Sequence, residues 1–253
     1  MMQDAGILGL GYLGMSLAER LYLSGCRVAA VKRSLSSDDV NLPVSLKCAD
    51  FNDTAQHRAV FDQTWADKPV WICLLPPTPF AAYDACLKSW CGLAKEYGIK
   101  HLVFSSSTSV YGSRARECDE QSPLEPETES ARKVAAAENV FLQSGVEHVD
   151  ILRLGGLYSA SRHPLNRILQ QGKLIPNANQ RVNMVHQDAA VSALFHAAAN
   201  PNGIRIRNIV AQHHPTKREF YTAEAQSLGL PVPEFETGNG SGKIVHTLFD
   251  DID

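Results

Sequence analysis

Ala5-Gly6-Ile7-Leu8-Gly9-Leu10-Gly11-Tyr12-Leu13-Gly14 decides how this chain is read. A short apolar run ends in three glycines spaced G-x-G-x-x-G, and apolar residues at helical spacing begin directly after them. The pattern is strand, tight turn, helix. Gly9 permits the turn, Gly11 lets an anion approach the backbone, and Gly14 lets the helix lie close on a sheet. The Tyr12 and Leu13 backbone in the first helical turn would complete the cradle with unpaired N–H groups. A glycine-rich turn can also be only a turn, so its surroundings decide.

Working outward, Met15 to Ser24 keeps apolar residues at helical spacing and stops at Gly25, a natural C-terminal cap. Arg27 to Lys32 then reads as a buried parallel strand, so residues 5–32 form a βαβ unit of the length a dinucleotide site needs. An acid at the end of that strand would bind the ribose 2'-hydroxyl of NAD. Here the sequence is Lys32-Arg33-Ser34. Two cations and a hydroxyl suit a 2'-phosphate, so the expected cofactor is NADP(H), with NAD the alternative and Arg33 stacking on or forking to the phosphate. The competing reading is a solvated basic loop.

Val44 to Cys48 reads as a third strand, and Asp50 after it either accepts from the adenine amino group or caps a helix starting near Thr54. Val70 to Leu75 is a near-continuous apolar run, hence a central strand, and Pro76-Pro77 ends it at the cofactor edge. Leu75 and Pro76 therefore fall beside the ribose and pyrophosphate. A helix over 80–97 leads through Gly98 into a fifth strand from His101. Unbroken alternation predicts an α/β fold, a Rossmann-type doubly wound parallel sheet. Residues 1–153 would form the dinucleotide-binding domain. Residues 154–253 would return a strand and helix to the sheet and add a small C-terminal substrate lobe.

The bulk properties narrow the function classes. The chain has 253 residues, 44% of them hydrophobic, and 24 Lys and Arg against 27 Asp and Glu give a net charge of -3. No basic run forms, which excludes a nucleic-acid partner. No apolar stretch reaches membrane-spanning length and the N-terminus lacks a signal-peptide layout, so no membrane partner is expected. The six cysteines show no C-x-x-C and several lie in apolar stretches, as buried thiols do in a reducing, cytoplasmic setting. The nine histidines give no metal-ligand spacing, and no metal is expected.

At the end of the fifth strand stands Val103-Phe104-Ser105-Ser106-Ser107-Thr108-Ser109-Val110-Tyr111-Gly112. Further on come Ile151-Leu152-Arg153-Leu154-Gly155-Gly156-Leu157-Tyr158, Arg162-His163-Pro164, Asn183-Met184-Val185-His186-Gln187-Asp188 and Gly242-Lys243-Ile244. Together these tracts resemble the atypical extended branch of the short-chain dehydrogenase/reductase superfamily, and within it the YeeZ-like group of NAD(P)-dependent epimerase/dehydratases. The resemblance covers nearly the whole chain. It implies a small-molecule substrate (a carbonyl, a carbinol or a sugar nucleotide) and an oxidoreductase or epimerase/dehydratase-like activity. It also implies a homodimer through the helices at about 80–97 and 127–144.

The same resemblance assigns site residues. Ser107 aligns with the family's catalytic serine, and Thr108 beside it falls on the substrate side. Relatives place a Tyr-x-x-x-Lys on the next helix, where the tyrosine exchanges a proton with the substrate and the lysine lowers its pKa. Residues 126–138 contain no tyrosine. Registering on Lys133 puts Glu129 at the tyrosine position; registering on Glu138 puts Ser130 there and Val134 at the lysine. Lys133 or Arg132 would reach the nicotinamide ribose from a neighbouring position. Glu129, Ser130, Tyr111 and a bound water are the candidate proton donors. The family's helix-borne asparagine corresponds roughly to Tyr83-Asp84. His186 and, in the lobe, Arg162 are candidate substrate-binding residues, although a strand-end histidine beside Asp188 serves structure equally well. The alternative function is a non-catalytic NADP-binding regulatory or interaction protein.

Overall fold

The structure is a computed structural model that describes residues 3–35, 39, 42–78, 80–238 and 240–252. Its frame is a seven-stranded sheet in which all neighbouring strands run parallel. In chain order the strands are β1 (Ala5–Leu8), β2 (Val28–Lys32), β3 (Ser45–Cys48), β4 (Val70–Cys73), β5 (His101–Ser107), β7 (His148–Leu154) and β10 (Ile204–Ile209). The spatial order is β10-β7-β5-β4-β1-β2-β3. The order reverses between β1 and β4, and ligands of open parallel sheets bind in the crevice at such a switch point. The first glycine turn therefore opens where the topology makes room for a ligand.

Helices cover both faces. On one side α1 (Tyr12–Leu23) packs with α7 (Gln187–Ala199); on the other lie the short α2 (His57–Val60) and α3 (Gln63–Ala66) with α4 (Tyr83–Glu96) and α5 (Glu129–Leu142). The strands are apolar on both faces because both are covered: along β5, Leu102 and Phe104 join the α4/α5 core while Val103 joins the α1/α7 core. The first of these cores is built on aromatics. Trp71 lies 5.1 Å from Trp65 and 5.2 Å from Trp90 by ring centroids, and all three are fully buried.

The remaining chain forms the lobe and its straps. β8 (Gly156–Tyr158) pairs with β9 (Met184–His186), and α6 (Pro164–Gln171) and α8 (Lys217–Ser227) flank them. A two-stranded ribbon joins β6 (Glu117–Cys118) to β11 (Ile244–Val245), which ties the C-terminal segment to the loop after β5. Of the elements after β7, β10 pairs with β7 at the edge of the main sheet and α7 packs on its α1 side. Asp50 does not cap the helix beginning at Thr54. Its carboxylate accepts from the Asn52 backbone and side-chain amides, and Asp53 supplies the cap by accepting from the Ala55 N–H.

Candidate functional site

The glycine turn has the geometry its spacing implies. Gly9 adopts φ of +100°, open to glycine and strained for other residues. A Cβ at Gly14 would fall 2.4 Å from the Gly9 carbonyl oxygen, so only glycine lets α1 start this close to the turn. At Gly11 a Cβ would have no atom within 4 Å. That open space lies at the N-terminus of a twelve-residue helix with no acidic residue in its first turn and no side-chain cap. The N–H groups there face a free volume, which suits a pyrophosphate.

Two cavities lie at the ends of β1, β4 and β5. One, of about 270 Å³, is lined by Gly9, Gly11, Lys32, Arg33, Ser34 and Phe80 among others. The second, of about 230 Å³, is lined by Leu13, Tyr83, Ser105, Ser107, Val134 and Leu157 among others. Both are lined by Leu74, Leu75 and Pro76, so the two adjoin at the end of β4 and form a trough with Arg33 at one extreme and Ser107 at the other. The β4 end that the sequence placed beside the ribose is its shared floor. That floor is braced from two sides: the Tyr83 hydroxyl donates to the Leu75 carbonyl at 2.6 Å, and Lys133 Nζ donates to the Phe80 carbonyl at 2.8 Å.

At the Arg33 end, Lys32 is not free. Its ammonium donates to both carboxylate oxygens of buried Asp39, at 2.7 and 2.8 Å, which leaves Arg33 and Ser34 as the groups open to a phosphate. Asp50 is exposed and bonded to Asn52, and it does not line the trough. Lys133, pinned to Phe80 and paired with Glu129 at 2.9 Å, braces the floor.

At the other end, Ser107 lines the trough with its Oγ accepting from the Ser109 N–H at 3.1 Å. Its own O–H is left to donate. Thr108, only 6% exposed, does not line the trough, and its carbonyl accepts from Lys243 Nζ. Two proton-donor expectations need correction. The Tyr111 phenol is buried away from the trough, donating to Asn208 Oδ1 at 2.9 Å and accepting from Arg153 Nη1 at 2.8 Å, and burial raises its pKa. Glu129 is an exposed residue at the start of α5, and Lys133 holds its carboxyl below the usual carboxylate range, so it is ionised rather than a donor. Ser130 is exposed one turn before Val134 and does not line the trough. Val134 does, one turn before buried Glu138 on the same face of α5.

The sequence reading missed what Glu138 and Arg153 do. Arg153 donates to both Glu138 oxygens, at 2.9 and 2.7 Å, and Ser106 Oγ donates to the same carboxylate. The pair is almost completely buried and links β5, β7 and α5 through Tyr111 to Asn208 on β10. An arginine in the middle of an apolar strand was the available signal, because a buried guanidinium needs an anionic partner. Lys243 was likewise legible only as part of a motif. Its ammonium donates to the Thr108 and Gly112 carbonyls at 2.5 and 2.6 Å and so clasps both ends of the turn after Ser107.

His186 lies apart from this trough. Its Nδ1 accepts from the Asp188 N–H at the start of α7, and its ring lines a larger cavity, about 410 Å³, between α7, β10 and the C-terminal segment. That cavity shares no residue with the trough and holds none of the glycines, so its size gives it no claim on the chemistry. Arg162 stands over the Tyr12 ring, 4.8 Å from its centroid, and the Tyr12 hydroxyl donates to Ser159 Oγ at 2.7 Å. No group of three metal-ligating side chains occurs among the described residues, and no helix among them is long and apolar enough to cross a membrane.

No model of a known protein family matches the chain. Protein YeeZ of Escherichia coli K12 is 31% identical over 96% of this chain and 91% of its own length. The chain belongs to the YeeZ-like group of atypical extended short-chain dehydrogenases/reductases. Solved structures share the fold of this family at lower identity. WbmH of Bordetella bronchiseptica, solved with NAD+, superposes with a TM-score of 0.81 over 99% of this chain and 90% of its own, at 16% identity. MoeE5, solved with UDP-glucose and NAD, superposes with a TM-score of 0.77 over 97% and 89%, at 19% identity.

Proposed function

We propose that the chain binds a nicotinamide dinucleotide along this trough, NADP(H) in preference to NAD(H). On this reading it acts as an oxidoreductase or epimerase/dehydratase-like enzyme on a small carbonyl, carbinol or sugar nucleotide. The observation that carries this reading is that the glycine-turn cavity and the Ser107 cavity share Leu74, Leu75 and Pro76 as lining. WbmH and MoeE5, both solved with NAD, support the cofactor class, and the UDP-glucose in MoeE5 supports a sugar nucleotide as one substrate class. Arg33 and Ser34 support the 2'-phosphate preference.

A bound nicotinamide would give or take hydride. Ser107 would hold the reacting oxygen: its Oγ accepts from the Ser109 N–H, and its O–H would donate to and polarise a carbonyl. The proton must come from elsewhere. Tyr83 is the one titratable side chain among the described lining residues of the Ser107 cavity, and its hydroxyl is committed to Leu75. Water admitted to the cavity is the remaining source, and missing a positioned general acid costs about 10²- to 10⁴-fold in rate.

Val134 in the lining favours a second reading, a regulatory or interaction protein that holds the dinucleotide without turning it over. Both readings place the protein in the cytoplasm, where its six unpaired thiols stay reduced. Both also accommodate a homodimer through α4 and α5. Titrating the protein with NADPH and NADH by fluorescence, then adding a panel of ketones, aldehydes and sugar nucleotides, tests the proposal. Tighter NADPH binding with oxidation by one panel member is expected. Binding without turnover across the panel selects the regulatory reading, and absence of binding overturns both.

A further inference from the structure

Three cations from separate parts of the chain line one cavity. Arg181 precedes β9, Lys217 opens α8 and Lys243 precedes β11; with Gly112, Gln180 and Asn183 they bound a space of about 320 Å³ that shares no lining residue with the trough. The backbone fixes where they stand. The Lys217 N–H donates to the Gln180 carbonyl at 2.8 Å and the Val182 N–H to the Pro215 carbonyl at 2.9 Å, which clips the Arg181 segment to the start of α8. The Asn183 side chain holds the C-terminal segment on both sides of Ile244, its Nδ2 donating to the Lys243 carbonyl at 3.0 Å and its Oδ1 accepting from the Val245 N–H at 2.8 Å.

The positive charge gathered here lacks a counter-charge. Elsewhere in the molecule Lys32, Lys47, Lys68 and Lys133 are buried or half-buried, and each is paired with a carboxylate, of Asp39, Asp62, Asp67 and Glu129 respectively. Lys217 and Lys243 are half-buried too, yet their hydrogen-bond partners among the described residues are carbonyls alone: Pro176 at 3.1 Å for Lys217, Thr108 and Gly112 for Lys243. Arg181 Nη1 donates to the His214 carbonyl at 2.8 Å. No acid lines the cavity. Of the carboxylates beside its lining residues, Glu219 accepts from the Thr216 N–H and Oγ1 and stands 4.0 Å from Arg181, and Glu127 accepts from Ser113 Oγ. Removing an ammonium from water without an anionic partner is costly, and burial accordingly lowers the pKa of both lysines. An anion in the cavity would supply the missing charge. A phosphate, with more charge and more acceptor oxygens than a carboxylate, suits three cations.

We propose that this cavity is a phosphate-binding site, separate from the trough, for a phosphate or diphosphate that is either free or carried on a small molecule. Lys243 joins it to the catalytic end of the molecule, since the ammonium that would meet the anion also clasps the turn after Ser107. The inference goes beyond the dinucleotide reading and does not depend on it.

The test is calorimetric titration of wild type, Lys217→Gln and Lys243→Gln with pyrophosphate, inorganic phosphate and glucose 6-phosphate at low ionic strength, first alone and then with saturating NADPH. Wild type is expected to bind pyrophosphate with NADPH present. Each variant is expected to bind it about tenfold or more weakly, the scale of one lost charge-assisted hydrogen bond. Lys217 gives up a single side-chain hydrogen bond, to Pro176, so its variant carries the test if Lys243→Gln disturbs the turn; circular dichroism checks both. Tighter binding of glucose 6-phosphate than of inorganic phosphate assigns the site to a phosphate ester, and the reverse order to the free anion. Absence of binding of every probe to wild type, wild-type affinity in Lys217→Gln, or loss of pyrophosphate binding at saturating NADPH overturns the inference. A wild type that binds pyrophosphate, binds it weakly as Lys217→Gln and ignores NADPH keeps this site and overturns the dinucleotide reading.

Discussion

Two alanine substitutions in one motif should fail in different ways. At Gly11 φ is -102°, outside the left-handed region, and a methyl group would meet no protein atom within 4 Å. Gly11→Ala should therefore leave stability within about 1 kcal/mol of wild type. The methyl would stand where a phosphate must approach the helix N–H groups. Losing one such charge-assisted bond is worth about 1.5–3 kcal/mol, or roughly 10- to 100-fold in Kd. At Gly14 the methyl would lie 2.4 Å from the Gly9 carbonyl oxygen, a backbone atom that cannot swing away. Relief requires α1 to shift off the sheet, an overpacking cost of about 1–3 kcal/mol. Urea denaturation reads the stabilities and NADPH fluorescence titration the affinities. Normal NADPH binding by Gly11→Ala would refute the phosphate cradle, and wild-type stability of Gly14→Ala would refute the close approach of α1.

Other consequences can be measured separately. Arg153→Met strands the Glu138 carboxylate, 2% exposed, with Ser106 as its remaining side-chain donor, and should cost about 3–5 kcal/mol. Arg153→Met/Glu138→Leu should recover much of that in urea melts, and a single variant losing under about 1 kcal/mol would count against a buried ion pair. Burial lowers the pKa of His57, His163 and His214, so the folded state favours their neutral forms. Their contribution is complete above the ordinary histidine value of about 6.5 and is lost as pH falls through it towards the depressed folded values. Urea midpoints should drop between about pH 7 and about pH 5; a flat profile would contradict the assignment. If the trough is catalytic, Ser130→Tyr/Val134→Lys should raise turnover of whichever substrate the panel finds by about 10-fold or more, roughly the lower end of general-acid effects. Unchanged turnover with intact NADPH binding would show that the α5 face does not reach the reacting centre.

The fold was legible because its signals are local and repeat. Apolar strand runs alternate with helical periodicity, and the glycine spacing marks the turn at the sheet's switch point. The trough floor was legible for the same reason, since Pro76-Pro77 must end a central strand at its ligand edge. Side-chain roles set by distant partners were not. Lys32 looked free beside Arg33 but is taken by Asp39, and Tyr111 sat in a serine-rich strand end yet points into a buried network reaching β10. Glu129 and Lys133 satisfy each other across one helical turn, which periodicity permits but cannot distinguish from a role in the cleft. Arg162 could be placed in the lobe from sequence, whereas its approach to Tyr12 arises only when the lobe folds back on the first helix.

The central claim is that the trough from Arg33 to Ser107 holds a nicotinamide dinucleotide. Protection of backbone amides from hydrogen exchange on adding NADPH tests it most directly. Slowed exchange at Gly11 to Gly14 and at Ser105 to Ser107, with the lobe β-strands unaffected at their far ends, is the predicted result. Protection confined to the cavity between α7 and β10, or none at saturating NADPH, would contradict it.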